Sequence, residues 1–368
     1  MDRAFEGLPV EPLNSEYNPI GPGDILLFAT VRNEEVRLPA FLDYYRKLGV
    51  GRFFIVDNES TDGTRALLIA TEDVVPFHTA ASFLKANCGR DWTDALRGRF
   101  GRGHWCLTVD ADELLCFPAI EMLTLHDLTQ YCDRHGYEGL FTLMLDMYPA
   151  GPLRDAPYTP GEPLIEAFPF FDASGYSAAS GVKFPPISVN GGMRRRVFGD
   201  KASDKVFAVL RKTPLIRWRE GISYTHVTHS HSPIRLADIT GVLLHFKFLS
   251  NFAEFVTAEV ARGDRPGAAL AYTRYAEAVS EQPNLALADE NSRHFEDSRQ
   301  LVELGLMKSS LQFLNDFYPA LWARIGLRPA AEFRGEHKTA LLTAARRFRP
   351  DLRQVLQIWE AISDPPRD

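Results

Sequence analysis

The sequence predicts an α/β protein, a mostly parallel sheet flanked by helices and followed by a helical C-terminal extension. Three observations predict it. Apolar runs of strand length recur at 24–31, 53–56 and 105–109, too continuous for strands with one wet face. Helical periods fill the gaps between them, giving the strand-helix-strand-helix order of a parallel sheet. Beyond residue 251 the strand-like runs give way to apolar residues at helical spacing. The chain divides accordingly into an N-terminal arm at 1–23, an α/β domain at 24–250 and a helical region at 251–368.

Residues 1–23 hold four prolines and little periodicity, which predicts an extended arm. Asp24–Val31 predicts the first buried strand, broken by Arg32-Asn33-Glu34-Glu35. Leu38, Phe41, Leu42, Tyr45 and Leu48 then recur at helical spacing, with Pro39 in the first turn and Gly49 placed to end the helix. Phe53–Val56 predicts a second strand ending on Asp57, and the capping-rich turn 58–63 leads into a helix over Thr64–Thr71. A short strand at Val74–Phe77 precedes a helix around Asp91–Leu96, stopped by Gly101 and Gly103, and a central strand over Trp105–Val109. Leu123–His135 predicts a helix, and Gly139–Leu145 a strand ending on Asp146. Residues 149–190, rich in proline, glycine and aromatics, are too long for an ordinary connection and predict a functional loop region. Gly191–Phe198, Pro214–Trp218 and Gly241–Phe248 predict further strands. Arg299–Phe317 and Lys338–Ala361 predict helices.

A chain of 368 residues with 45% hydrophobic and 24% charged residues has ample material for a full core. A net charge of -7 argues against a protein that coats nucleic acid. The opening Met1-Asp2-Arg3-Ala4-Phe5-Glu6 has no apolar stretch of a secretory signal, and no run reaches membrane-spanning length. A cytoplasmic protein is expected, with association to a membrane surface and oligomeric state left open. The four cysteines (Cys88, Cys106, Cys116 and Cys132) form no C-x-x-C pair, which predicts reduced, mostly buried thiols.

The chemistry concentrates at Leu107-Thr108-Val109-Asp110-Ala111-Asp112-Glu113. In an extended strand, side chains at i and i+2 point the same way, so Asp110 and Asp112 are expected to project together. Two adjacent carboxylates repel unless a cation sits between them, and the oxygen-rich pair suits Mg²⁺ or Mn²⁺. Ligands gather beyond the carboxyl ends of strands in open parallel sheets. Val31/Arg32, Asp57 and Asp110/Asp112 all stand at such ends.

Val31-Arg32-Asn33-Glu34, the run Phe54–Thr64 containing Asp57-Asn58, and Val109–Glu113 together resemble family 2-type glycosyltransferases of the GT-A fold, whose sheet is Rossmann-like. The downstream Gly191-Gly192-Met193-Arg194-Arg195 and Leu243-Leu244-His245-Phe246-Lys247 narrow the resemblance to a bacterial branch. It covers roughly residues 25–250. It implies a UDP- or GDP-linked sugar donor, Mn²⁺ or Mg²⁺, and a carbohydrate or lipid-linked acceptor. The donor-binding residues it implies are Thr30, Arg32, Glu34, Asp57, Asn58, Asp91 and Asp110, with Asp57 toward the uracil or ribose. The metal ligands it implies are Asp110, Asp112 and His245. Arg195, Arg196 or Lys247 could oppose the charge that develops on the departing diphosphate. An inverting transfer also needs a carboxylate base. The Glu-Asp pair of the superfamily is absent after Gly191-Gly192, where Asp200 and Asp204 stand beside lysines. Asp146 and Asp172, near the predicted acceptor side, are the base candidates.

Each residue has a structural competitor. Asp57 could cap its turn, Asp146 and Asp172 could be turn residues, and Arg194, Arg195 and Arg196 alternate on a predicted strand, so at least one is solvated. His245 within Val242–Phe246 could be a satisfied core histidine, although it shares a strand face with Lys247 while Phe246 and Phe248 take the other. His226, His229 and His231 lack a Cys or Glu to complete a zinc set. A haloacid-dehalogenase phosphatase would carry Thr or Val where Leu114 stands. A sugar-nucleotide nucleotidyltransferase expects glycines that Val31-Arg32-Asn33-Glu34 lacks. A nucleotide- or carbohydrate-binding protein of the same fold without turnover is the non-enzyme alternative.

Overall fold

The computed structural model describes residues 5–14, 17–199, 209–264 and 268–324. Nine strands form one sheet: β1 (Glu11–Pro12), β2 (Ile25–Val31), β3 (Val50–Asp57), β4 (Val74–His78), β5 (Trp105–Thr108), β6 (Glu113–Cys116), β7 (Gly139–Asp146), β8 (Arg211–Arg217) and β9 (Gly241–His245). Their order across the sheet is β1-β4-β3-β2-β5-β8-β7-β9-β6. Strands β2 to β5 pair in parallel, and so do β7 and β9. β8 runs antiparallel between β5 and β7, so β7 and β9 share the direction of β2 to β5. The edge strands β1 and β6 are both antiparallel to their neighbours. This is a mixed, mostly parallel α/β sheet flanked by helices.

The principal helices are α1 (Leu38–Leu48), α2 (Thr64–Ala70), α3 (Arg90–Phe100), α4 (Leu125–His135), α5 (Phe252–Arg262) and α6 (Ala268–Glu281). α1 carries Pro39 in its first turn and stops at Gly49, whose φ of 100° only glycine adopts without strain. α4 begins with a reciprocal capping box between Thr124 and Asp127. Every residue of β7 and β9 is buried, as expected of strands covered on both faces. Phe28, Phe54 and Phe100 stack at centroid distances of 5.1 and 4.7 Å. Each buried ring contributes about 1.5–3 kcal/mol through removal from water. A second cluster joins Phe198, Phe248, Phe252 and Tyr275, anchoring α5 and α6.

Several expectations change. Within the described part of the arm, β1 adds a strand beside β4, and Phe5 packs on Phe77 and Phe100. The 149–190 region is not bare loop: it contains strands Phe170–Asp172, Tyr176–Ser180 and Ile187–Gly191. Residues 194–198, expected as strand, form a single wide helical turn, because the left-handed pair Gly191 and Gly192 ends the preceding strand. The helix expected over Arg299–Phe317 is two, Ser298–Glu303 and Leu311–Arg324, separated by a left-handed Gly305. Residues Ser292–His294, in the region expected to be helical, pair as a strand with Phe170–Asp172. Lys338–Ala361, Asp200 and Asp204 lie outside the described residues.

Candidate metal and donor site

One edge of the sheet collects the carboxyl ends of β2, β3, β4, β5, β7 and β9. The antiparallel strands contribute their beginnings to the same edge, Glu113 from β6 and Arg211 and Lys212 from β8. Glu113 and Lys212 stand at strand beginnings, where acids and bases after apolar runs give no signal.

Asp110 and Asp112 do not sit side by side on an extended strand. β5 ends at Thr108, and residues 110–113 close a tight turn in which the Glu113 amide donates to the Asp110 carbonyl at 3.0 Å. The turn sends the two acids to different partners. Asp110 is exposed and accepts from Lys212 Nζ at 3.1 Å. Asp112 is partly buried and lies 3.3 Å from His245 Nε2. Against burial, which raises it, His245 and then Arg37 and Lys247 hold the Asp112 carboxyl well below the usual range. Lys212, 3% exposed, bridges Asp110 and Glu113 and supplies part of the cation that the motif calls for. Burial pushes the Glu113 carboxyl up to about 7 against the pull of Lys212, with Asp110 and Asp112 adding to the rise.

His245 ends β9 and is 5% exposed. Its Nδ1 lies 2.6 Å from Asp146 Oδ1. Asp146 is also held by Arg194 through two bonds of 2.7 Å, and against burial Arg194 and then His245 keep its carboxyl far below the usual range. A carboxylate so stabilised is a weak proton acceptor, so its geometry argues against the expected role as base. Asp172 is likewise buried and accepts two bonds from Arg196, at 2.9 and 2.7 Å, and one from the Tyr148 hydroxyl.

Ligand atoms of Asp112, Glu113 and His245 lie within 4.8 Å of one another. Two carboxylates and an imidazole fit a divalent cation, and the softer imidazole favours Mn²⁺ over Mg²⁺. Asp110, expected as a ligand, is outside this group and Glu113 is inside it.

The expected donor residues cluster less tightly. Thr30 and Asp110 line a small cavity of about 30 Å³ together with Gly89 and Arg90, and the buried Thr30 hydroxyl has no hydrogen-bond partner among the described residues. Asp57 is fully buried and accepts from the Ser60 amide at 3.0 Å and Arg65 Nε at 2.7 Å. Asn58 donates to the carbonyls of Thr79 and Ala81, and Arg32 donates to the Asn58 carbonyl at 2.8 Å. Glu34 is bound by Arg37 at 2.7 and 2.9 Å. Asp91 is exposed and accepts from Asn87 at the start of α3. Arg195 is exposed on its helical turn. The chain leaves β9 after His245, and Lys247 Nζ lies 4.9 Å from the centre of the Tyr272 ring on α6. His229 and His231 hold backbone carbonyls through Nδ1.

No protein-family model and no curated protein sequence matches this chain. Among the described residues, no helix is long and apolar enough to cross a membrane.

Proposed function

We propose that the protein is a metal-dependent glycosyltransferase that moves a sugar from a UDP- or GDP-linked donor to an acceptor hydroxyl, with inversion. The observation that carries this reading is the Asp112, Glu113 and His245 group, within 4.8 Å, on the sheet edge that also bears Thr30, Asp57 and Asp110. Those three residues would hold Mn²⁺ or Mg²⁺, which supplies Lewis-acid stabilisation to a leaving diphosphate when bound. Lys247 stands near enough to Asp112 to lower its pKa and adds positive charge on the same side. Thr30 presents a buried hydroxyl, unpartnered among the described residues, at the cavity it shares with Asp110, a position suited to a polar donor group.

The test is nucleotide release from a panel of UDP- and GDP-sugars, with Mn²⁺ and with chelator. One donor should turn over, and chelation or Asp112→Ala should lower the rate by about 10²–10³-fold, the loss of several kcal/mol of charge stabilisation. Equal nucleotide affinity with Mn²⁺ and with chelator would sink the reading. A binding protein without turnover is the second reading, favoured by one observation: both oxygens of Asp146 and of Asp172 are already engaged. It predicts metal-dependent donor binding with no release.

A further inference from the structure

The Gly191-Gly192-Met193-Arg194 stretch has no role in the reading above, yet it reaches the metal group through an unbroken chain of contacts. A Cβ on Gly191 would stand 2.1 Å from the Gly175 carbonyl oxygen, and one on Gly192 would stand 2.6 Å from the Tyr176 ring. Only a glycine pair lets the backbone pass this close, and the turn that follows drives Arg194 into the interior, 5% exposed. Its guanidinium forks onto both oxygens of Asp146. Asp146 in turn faces His245 Nδ1 at 2.6 Å, while His245 Nε2 faces Asp112.

The protons of this chain can be assigned. Arg194 Nη2 carries two hydrogens. Its neighbours at 2.7 and 3.1 Å, Asp146 Oδ1 and Met144 Sδ, accept them. The same nitrogen stands 3.1 Å from His245 Nδ1, a hydrogen bond only where that ring nitrogen carries no proton. A carboxylate oxygen 2.6 Å from an imidazole nitrogen requires a proton between them, and the doubly held Asp146 leaves that proton on Nδ1. Nε2 is then the nitrogen that can bind a cation, and it is the one turned toward Asp112.

We propose that Asp146 and Arg194 are positioning residues, which fix His245 with Nδ1 protonated and Nε2 aimed into the Asp112 and Glu113 group. This rests on the metal reading above and gives the Gly-Gly-x-Arg stretch its purpose. A ligating histidine whose other nitrogen donates to a carboxylate is held in one tautomer and orientation, and loss of such a partner lowers metal affinity 10–100-fold. Arg194 extends the arrangement by one step, since a buried carboxylate with a single imidazole partner would be free to rotate.

Two readouts other than activity test it: Mn²⁺ affinity by electron paramagnetic resonance, and the His245 tautomer by ¹⁵N NMR of the metal-free protein at pH 9. Asp146→Asn should weaken Mn²⁺ binding at least tenfold and lose the single Nδ1–H tautomer. That variant leaves Arg194 buried without a carboxylate, so Asp146→Asn/Arg194→Met is measured beside it. The double variant removes both charges at similar volume and should fold. It should show the same loss of affinity and the same mixed tautomer. Wild-type His245 carrying its proton on Nε2 would overturn the positioning role directly. A folded double variant with wild-type Mn²⁺ affinity would overturn it while leaving the metal reading intact. No Mn²⁺ binding by the wild-type protein would overturn both.

Discussion

At the end of β3, buried Asp57 is satisfied by its own neighbourhood: the Ser60 amide three residues on and Arg65 eight residues on. At the start of β6, buried Glu113 is satisfied by Lys212, 99 residues away, and at the end of β7, Asp146 is met by Arg194, 48 residues away. The half of the sheet built from β4, β3 and β2 thus carries its compensating groups on adjacent turns, while Asp110 beyond β5 is met by Lys212, 102 residues away. The half built from β8, β7, β9 and β6 obtains them only when distant strands pair. A locally satisfied acid can stay in place while the rest of the sheet loosens. A distantly satisfied one ties the geometry of the metal group to closure of the whole sheet.

Lys212→Met should strike the distantly satisfied half hardest. Lys212 and Glu113 are 3% and 1% exposed, so removing the ammonium strands a buried carboxylate and leaves Asp110 without its cation. The expected loss is about 3–5 kcal/mol, read from urea unfolding. A loss below about 1 kcal/mol would mean that the distant pair is no more important than a local one.

Acid should act on the same half of the molecule. His231 is 2% exposed, and burial, with Arg211 adding to it, lowers its pKa to about 4. The folded state therefore disfavours the proton that the unfolded chain takes up near pH 6.5. The stability this confers is complete above pH 6.5 and is lost as pH falls from 6.5 to 4, by up to about 3 kcal/mol. His229, held well below its usual range by burial and Lys212, acts in the same direction. Unfolding free energies measured between pH 7.5 and 4 should show the fall, and His231→Gln should flatten it. An unchanged slope in that variant would assign the acid sensitivity elsewhere.

Asp57→Ala tests the other half. It removes one charge-assisted bond to a backbone amide and one to Arg65, a side chain 37% exposed, and should cost about 2 kcal/mol. Denaturant unfolding should place it clearly below Lys212→Met. The reverse order would invert the comparison.

The same division explains how much of the molecule could be read from the sequence. α1 and its end at Gly49, the ends of β2 and β3, and the helix after Asp57 follow from local periodicity and turn chemistry, and the structure has them where expected. The edge holding Asp57, Asp110 and Asp112 was legible for the same reason, because acids after apolar runs mark strand ends, whereas Thr30 and His245 entered through the resemblance alone. Lys212 was not: nothing in Arg211-Lys212-Thr213-Pro214 tells that β8 enters antiparallel between β5 and β7. Glu113 was visible as a third acid, but its place opposite His245 depends on β6 crossing to the far edge to pair with β9. The expectation that Asp110 and Asp112 share a face failed because the strand stops at Thr108, and a turn imposes a different direction on each side chain.

The smallest effect is the most discriminating, since it concerns the one point where local and distant satisfaction meet. β6 is an edge strand, and an edge leaves backbone groups without a partner strand. α1 meets them: Tyr44 donates to the Leu115 carbonyl at 2.7 Å, while Tyr45 accepts from the Leu115 amide and donates to the Glu113 carbonyl, both at 2.9 Å. Burial, with Cys116 adding to it, raises the Tyr44 hydroxyl well above its usual range, so it remains a donor at any working pH. Tyr44→Phe keeps the ring and deletes one neutral hydrogen bond, an expected loss of about 1 kcal/mol. Tyr45 still holds the strand at the Glu113 carbonyl and the Leu115 amide, so Mn²⁺ affinity should stay within about twofold, well short of the 10–100-fold effect of losing an orienting partner. Urea unfolding and Mn²⁺ titration on the same variant check both halves of that expectation. If the affinity fell tenfold while stability fell by only about 1 kcal/mol, the position of Glu113 would depend on the α1 contacts more than on its pairing with β9 and Lys212.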